Sequence, residues 1–193
     1  MTLSQHLSGR RSIAIVRHGE TDWNLARRIQ GRTEVPLNAT GREQARTAAR
    51  LLAAGPGWSG LSSSPMLRAI ETAEILSGAL GLGDPYIDHA LWERDFGPAE
   101  GLLVAEAERR WPGLDIPGAE TLDALAERAA AGLLRTLEEA PGTVVVAHGA
   151  LIRSGLTRIG GAPLPRILNC EVWILSRDGG SAPRLARLEP AAV

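Results

Sequence analysis

The chain contains no lysine. All 21 of its basic residues are arginine, which excludes a lysine nucleophile, a Schiff-base lysine and a phosphate-loop lysine. This bias, with the abundance of Ala and Gly, reflects coding composition, so one arginine alone is weaker evidence of phosphate reading than it is elsewhere. Cys170 is the only cysteine, which excludes an intrachain disulfide and a cysteine zinc site. In its apolar, strand-like surroundings a buried inert thiol is expected. No HExxH helix and no histidine cluster at ligand spacing is present, so no metal and no cofactor is expected. No apolar run reaches membrane-spanning length. Arg10-Arg11 faintly resembles a twin-arginine signal, but the five residues 12–16 are too few for its apolar core and Arg17 ends them. The expected place is the cytoplasm, with no membrane partner. A net charge of −1 gives no electrostatic reason for a nucleic-acid partner.

What is present is ordinary for a globular protein: 44% hydrophobic and 22% charged residues over 193 positions. That length suits one domain with a real core. With no internal repeat and no linker, a single domain over 1–193 is expected, residues 1–11 forming a loose leader. Homo-oligomer formation leaves no mark in the sequence.

The chain is organised around residues 12–24. Residues 13–16 are a short apolar, β-branched run of the kind that makes a buried parallel strand. It ends in Arg17-His18-Gly19. In open α/β sheets ligands bind beyond the carboxyl ends of strands, which places Arg17 and His18 at the expected site. Gly19 would let the backbone turn sharply there.

Downstream, Thr40 and Glu43 have the spacing of a capping box for a helix carrying Ala45, Ala48, Ala49 and Leu52, with Gly55 as stop. A strand near 59–62 precedes Ser64-Pro65, read as cap and first position of a second helix that runs to Gly81. Residues 86–88 suit a third strand and 102–110 a short amphipathic helix. Thr121 caps a long helix with Leu122, Leu125, Ala129, Leu133 and Leu137 on one stripe. Residues 143–147 repeat the opening pattern, an apolar strand ending in His148-Gly149, followed by a helix over 150–159. Residues 170–176 and 184–188 flank Asp178-Gly179-Gly180 as a hairpin. The alternation predicts an α/β three-layer sandwich: a mainly parallel central sheet with an antiparallel edge strand, and helices on both faces.

Two apolar strands ending in His-Gly would bring His18 and His148 to one sheet edge and one cleft. Arg68, in the first turn of the second helix, adds a guanidinium where free amides already favour anions. Glu20 and Thr21 suit a structural turn, with phosphate contact by Thr21 as the alternative. Arg27, Arg28 and Arg32 read as a solvated face. His6 and His89 belong to no motif. Trp23, Trp92, Trp111 and Trp173 read as packing residues, Trp92 being the one nearest to a substrate role.

From residue 12 to the final hairpin the chain resembles the histidine phosphatase superfamily, which includes the cofactor-dependent phosphoglycerate mutases. The motifs are Arg17-His18-Gly19-Glu20-Thr21 with Trp23-Asn24, Gln30-Gly31, Pro36-Leu37-Asn38 with Gly41 and Gln44-Ala45, and Ser63-Ser64-Pro65 with Arg68-Ala69 and Thr72-Ala73. Glu93 with Gly97, Glu100-Gly101, Gly118 with Glu120, and Ala147-His148-Gly149 complete them.

The resemblance implies that His18 is a nucleophile that becomes phosphohistidine, that Arg17, Arg68 and His148 hold the phosphoryl oxygens with help from Asn24, and that Glu93 is the general acid. The residue types suit the chemistry. Phosphoryl transfer asks for in-line positioning and positive charge on the equatorial oxygens, and a neutral imidazole is a competent nucleophile. Glu93 must hold its proton to donate it, which burial or a neighbouring anion favours.

The implied function is metal-independent phosphomonoester hydrolysis of small phosphorylated metabolites. The alternatives are mutase-type transfer and a catalytically silent phosphate-binding module. Arg94 resembles a carboxylate-binding mutase arginine, but Asp95-Phe96 departs from the mutase pattern. Ala99 replaces a large aromatic residue frequent in the family, and Ala119-Glu120-Thr121 replaces Gly-Glu-Ser. The segment 101–117 is short and apolar to acidic (Glu106, Glu108, Asp115), which predicts a reduced lid.

Overall fold

The computed structural model describes residues 11–55 and 57–189. Six strands form one sheet. β1 (Arg11–Arg17), β4 (Thr143–Ala147), β2 (Gly60–Ser63) and β3 (Tyr86–Ile87) are parallel neighbours in that order. On the other side of β1 lie β5 (Val172–Arg177) and then β6 (Arg184–Leu188), each antiparallel to its inner neighbour. The antiparallel part is therefore two strands wide, because the hairpin adds both of its arms.

β1 and β4 read as unbroken apolar runs because both faces are covered. Ile13 and Ile15 face the helices α5 (Leu122–Glu139) and α6 (Gly149–Gly160). Ala14 and Val16 face α2 (Ala39–Ala53) and α3 (Leu67–Leu80). Buried side chains of this kind contribute roughly 1.5–3 kcal/mol each relative to exposure, which fixes the register that presents Arg17 and His18 at the strand end. A smaller cluster of Ile29, Ala99, Ala107 and Ile116 joins the loop that follows the one-turn α1 (Asp22–Leu25) to α4 (Val104–Arg110). A bridge between Arg28 and Leu103 ties the two segments together.

Several local expectations are corrected. Helix α2 is capped by Asn38, which accepts from the Gly41 amide at 2.8 Å, and not by Thr40. The Asn38 amide is anchored on Glu20, whereas Glu43 is exposed and pairs with Arg46 and Arg50. Helix α2 ends at Ala53 with Ala54 as its cap, so Gly55 lies just beyond its end. Helix α3 begins at Leu67, not at Pro65, because Ser64 is bonded elsewhere. Leu122 is 47% exposed, so the buried stripe of α5 starts at Leu125. Cys170 sits in the turn before β5 with φ +55°, outside the strand. Burial pushes its thiol up to about 12, against the pull of Arg17. Arg11 is the first residue of β1 rather than leader. The remaining leader residues, His6 among them, lie outside the described residues. No helix among the described residues is long and apolar enough to cross a membrane.

Candidate active site

The carboxyl ends of β1 and β4 are adjacent, Arg17 pairing with Ala147. The chain then places His18 and His148 with ring centroids 5.2 Å apart. Both are buried. Gly19 is required by proximity rather than by a turn: a Cβ there would overlap the backbone of Gly41 at the start of α2. Its amide donates to Thr72 Oγ1 at 3.0 Å.

His18 Nδ1 lies 2.7 Å from the carbonyl of Gly19. A carbonyl only accepts, so Nδ1 carries the hydrogen and Nε2 keeps its lone pair. Arg68 Nε donates to that lone pair at 3.3 Å. Burial holds the His18 imidazole well below the usual histidine range, and Arg68 and Arg17 reinforce this. His148 is held low by the same burial, then by Arg68, His18, Arg17 and Arg128.

The two arginines are fixed by backbone carbonyls. Arg68, 1% exposed, donates to Gly31 O at 2.7 Å and Thr33 O at 3.0 Å. Arg17 donates to Ile167 O at 2.8 Å. Burial lowers Arg17 to about 10, Glu93 opposing, so it remains cationic at neutral pH. His148 Nε2 meets Ser64 Oγ at 2.7 Å. That leaves His148 Nδ1 and Arg17 Nε buried with no hydrogen-bond partner in the protein. Buried polar atoms are seldom left so.

Glu93 sits at the amino terminus of α6. Its oxygens accept from the amides of Leu151 at 3.1 Å, Ala150 at 3.4 Å and Arg94 at 2.9 Å. A helix start is a favourable place for a carboxylate. Asn24 Oδ1 accepts from Thr21 N at 3.2 Å and Asn169 Nδ2 at 3.1 Å.

A cavity of about 710 Å³ opens onto these groups, lined by Arg17, His18, Asn24, Arg68 and Glu93. His148 stands behind it, beside His18. Thr21 and Arg94 do not line it. Thr21 is fully buried, caps α1 and donates to Gln30. Arg94 is spent on the carbonyls of Glu120 and Leu114 and lies over the Phe96 ring. Trp92 is also outside the lining, its indole donating to His89 and covered by Arg32. Arg27 and Arg28 do line it, as do Leu103, Val104 and Leu114 of the segment 101–117, which forms a wall. Among the described residues no group of three or more His, Cys, Asp or Glu could hold a metal ion.

An unprotonated imidazole nitrogen beside a buried guanidinium has the chemistry to take a phosphoryl group. Comparison of the whole chain with known proteins agrees. The family pattern described as the histidine phosphatase superfamily (branch 1) matches residues 13–189. The chain belongs to that superfamily. This histidine phosphatase is 41% identical over 152 residues to the uncharacterized phosphatase PhoE of Bacillus subtilis (strain 168), covering 78% of each chain. It is 38% identical over 176 residues to phosphoglycerate mutase-like protein 4 of Arabidopsis thaliana, covering 83% of this chain and 76% of that one. In structure it is similar to a mycobacterial glucosyl-3-phosphoglycerate phosphatase, with TM-score 0.77 and 27% identity over 92% of this chain and 96% of that one. It is an enzyme of the superfamily.

Sequence reasoning missed four lining or supporting residues of this histidine phosphatase. Ser64 has the spacing of a helix cap, and its bond to His148 comes from a residue 84 positions away. Asn169 carries no pattern, since its partners are 145 and 151 positions away. Arg153 was findable, lying four residues after Gly149 and so on the same helix face. Arg166 gave no signal beyond its charge. Both arginines line the cavity.

Proposed function

We propose that this chain is a metal-independent phosphomonoesterase that hydrolyses small phosphorylated metabolites through a phosphohistidine on His18. The observation that carries the reading is the hydrogen-bonded Nδ1 of His18, which leaves the Nε2 lone pair unprotonated beside Arg68. In the first step the Nε2 lone pair attacks phosphorus, and the bond from phosphorus to the ester oxygen breaks. Glu93 gives its proton to the departing oxygen. The free Nε of Arg17, the guanidinium of Arg68, Nδ1 of His148 and the Asn24 amide hold the phosphoryl oxygens, supplying the charge that such a transition state needs. In the second step Glu93 takes a proton from water, the water oxygen bonds to phosphorus, and the phosphorus–nitrogen bond breaks to restore neutral His18. The cytoplasm is the assigned location, and small organic phosphates are the partners.

Mutase-type transfer is the second reading, favoured by the similarity to a mutase-like plant protein. A silent binding module has no use for the set of amides that orients Glu93. The test is His18→Ala. With a labelled phosphate ester the native enzyme should yield an acid-labile, alkali-stable phosphoenzyme and release phosphate; the folded variant should do neither. Substantial turnover by that variant would falsify the assignment.

A further inference from the structure

Ser64 follows the last residue of β2, and His148 follows the last residue of the adjacent parallel strand β4. Both are fully buried. The amide of Ser64 donates to the carbonyl of Val146 at 3.0 Å, and its carbonyl accepts from Ser63 Oγ at 2.9 Å. Its backbone is thereby satisfied and fixed against the strand that delivers His148. Its hydroxyl meets two nitrogens. The amide of Met66 donates to it at a long 3.4 Å, and Nε2 of His148 lies 2.7 Å away.

Which of the two side chains gives the hydrogen follows from what each group can do. A serine hydroxyl carries one hydrogen and also accepts, whereas an amide only donates. Met66 therefore takes a lone pair of Oγ and leaves the hydroxyl hydrogen to be placed. Among the described residues, Nε2 of His148 is the one acceptor that Oγ meets. Were Nε2 protonated instead, the buried hydroxyl would keep an unsatisfied hydrogen, and Nδ1 would still lack a partner. Two buried polar groups would then be open rather than one, which folded proteins avoid. The imidazolium fails in the same way, and burial with Arg68 beside it holds this ring well below the usual histidine range.

We infer that Ser64 is a positioning residue: it donates to Nε2 of His148, fixes the neutral tautomer with the hydrogen on Nδ1, and makes that partnerless nitrogen a ready donor for a phosphoryl oxygen. The donor role rests on the phosphatase reading; the tautomer itself does not. His18 reaches the same tautomer through the carbonyl of Gly19. The two rings, 5.2 Å apart, then offer opposite functions, a lone pair at Nε2 of His18 and a hydrogen at Nδ1 of His148. In the other tautomer His148 would present a lone pair at Nδ1, which repels an anionic oxygen.

The test reads tautomer and anion affinity separately. In protein carrying ring-15N histidine, long-range couplings to the ring protons distinguish a protonated nitrogen from one with a free lone pair. The chain has four histidines, and the signals of His148 are those lost in His148→Asn. Native His148 should show its hydrogen on Nδ1. In Ser64→Ala the form with the hydrogen on Nε2 should gain. Inhibition by inorganic phosphate should weaken and kcat/KM should fall, each about 2–10-fold, because only part of the protein then holds the competent tautomer. Ser64→Cys, similar in size but a weaker donor, should fall between; with the native spectrum it decides the matter even if Ser64→Ala does not fold. Asparagine offers an NH2 near the place of Nδ1 with no tautomer to choose, so adding Ser64→Ala to His148→Asn should cost little further phosphate affinity. A native His148 with its hydrogen on Nε2 overturns the inference and leaves the phosphatase reading intact. So does a folded Ser64→Ala or Ser64→Cys with reduced turnover and an unchanged tautomer. A fixed Nδ1 hydrogen in a protein that neither binds phosphate nor hydrolyses any phosphate ester overturns the phosphatase reading, and the donor role of Nδ1 with it.

Discussion

Asn169 donates its side-chain amide to Oδ1 of Asn24 at 3.1 Å, while also lying 3.0 Å from the carbonyl of His18. Because Oδ1 of Asn24 is thereby occupied, with Thr21 N as its second donor, its NH2 is left for an anion in the cavity. Asn169 thus ties the backbone of His18, the proposed nucleophile, to Asn24, the proposed phosphate ligand, and on that reading is a positioning residue. A net hydrogen bond contributes about 0.5–1.5 kcal/mol, so Asn169→Ala should cost roughly 2–10-fold in kcat/KM. It should weaken competitive inhibition by inorganic phosphate in parallel. In a double-mutant cycle with Asn24→Ala the two losses should not add. Full additivity would make Asn169 structural only. Asn169→Asp, which cannot donate, should not rescue.

Much of this site was legible and part of it was not, for physical reasons. His18 and His148 sit at the ends of unbroken apolar strands, and a strand buried on both faces announces itself by composition. Arg68 was legible because Ser64-Pro65 marks the approach to a helix, although the helix starts two residues later. The cap of α2 was misassigned because Asn38 and Thr40 can both cap; the bond from Asn38 to Glu20 decides between them, and no local pattern encodes it. Glu120 and Asp95, the other carboxyl groups in the motifs around Glu93, are engaged otherwise: Arg128 grips Glu120 with two nitrogens at 2.8 and 2.9 Å, and Asp95 accepts from Gly97. The Arg128–Glu120 pairing depends on how α5 packs against the preceding loop, and sequence spacing does not reveal it.

The buried histidines make a pH prediction. Unfolded, each titrates near about 6.5, and in the folded chain burial holds both well below that. Below about pH 6.5 the unfolded chain therefore binds more protons, and stability falls as pH falls, by at most about 1.4 kcal/mol per pH unit per histidine. Above that pH these two groups contribute no slope. Melting temperature should drop on acidification from about pH 6.5 to 5, less steeply in a folded His148→Gln variant. For activity, kcat/KM should show no descending limb near pH 6.5 from His18, since Nε2 stays unprotonated there. A limb at that pH, lost in no other variant, would contradict the neutral nucleophile.

Gly31 should be intolerant of a side chain. Its φ is +54°, and a Cβ there would overlap the carboxylate of Glu100. Its carbonyl also receives Arg68 at 2.7 Å. Left-handed strain and overpacking together cost about 2–5 kcal/mol, so Gly31→Ala should lower the melting temperature and displace Arg68. The activity loss should exceed the stability loss when assayed well below melting. Combining it with Glu100→Ala removes the overlap but not the strain, and recovery should be partial.

Glu93→Gln tests the acid. General acid–base catalysis is typically a ~10²–10⁴-fold contribution. The loss should be large for alkyl phosphates and small for nitrophenyl phosphate, whose leaving group scarcely needs a proton. Glu93 also accepts from the amides of Ala150 and Leu151, so melting temperature is measured alongside. A purely structural role would reduce turnover of both esters equally.

Hydrolysis and transfer separate on what happens to the phosphoenzyme. A mutase must keep water from it while the intermediate reorients, which lids and closures accomplish. Here the wall that would serve is short, and its Leu103 and Val104 are 42% and 43% exposed. Arg94, the residue resembling a mutase carboxylate ligand, is 3% exposed, bonded to the backbone carbonyls of Glu120 and Leu114, and does not line the cavity. Water should therefore reach phosphorylated His18 faster than an intermediate can turn. Given 3-phosphoglycerate with a bisphosphoglycerate primer, the enzyme should release chiefly inorganic phosphate, followed by a phosphate-specific assay beside separation of the monophosphoglycerates. Rapid interconversion of those isomers with little phosphate released would mean that the wall closes in solution, and the transfer reading would then take precedence.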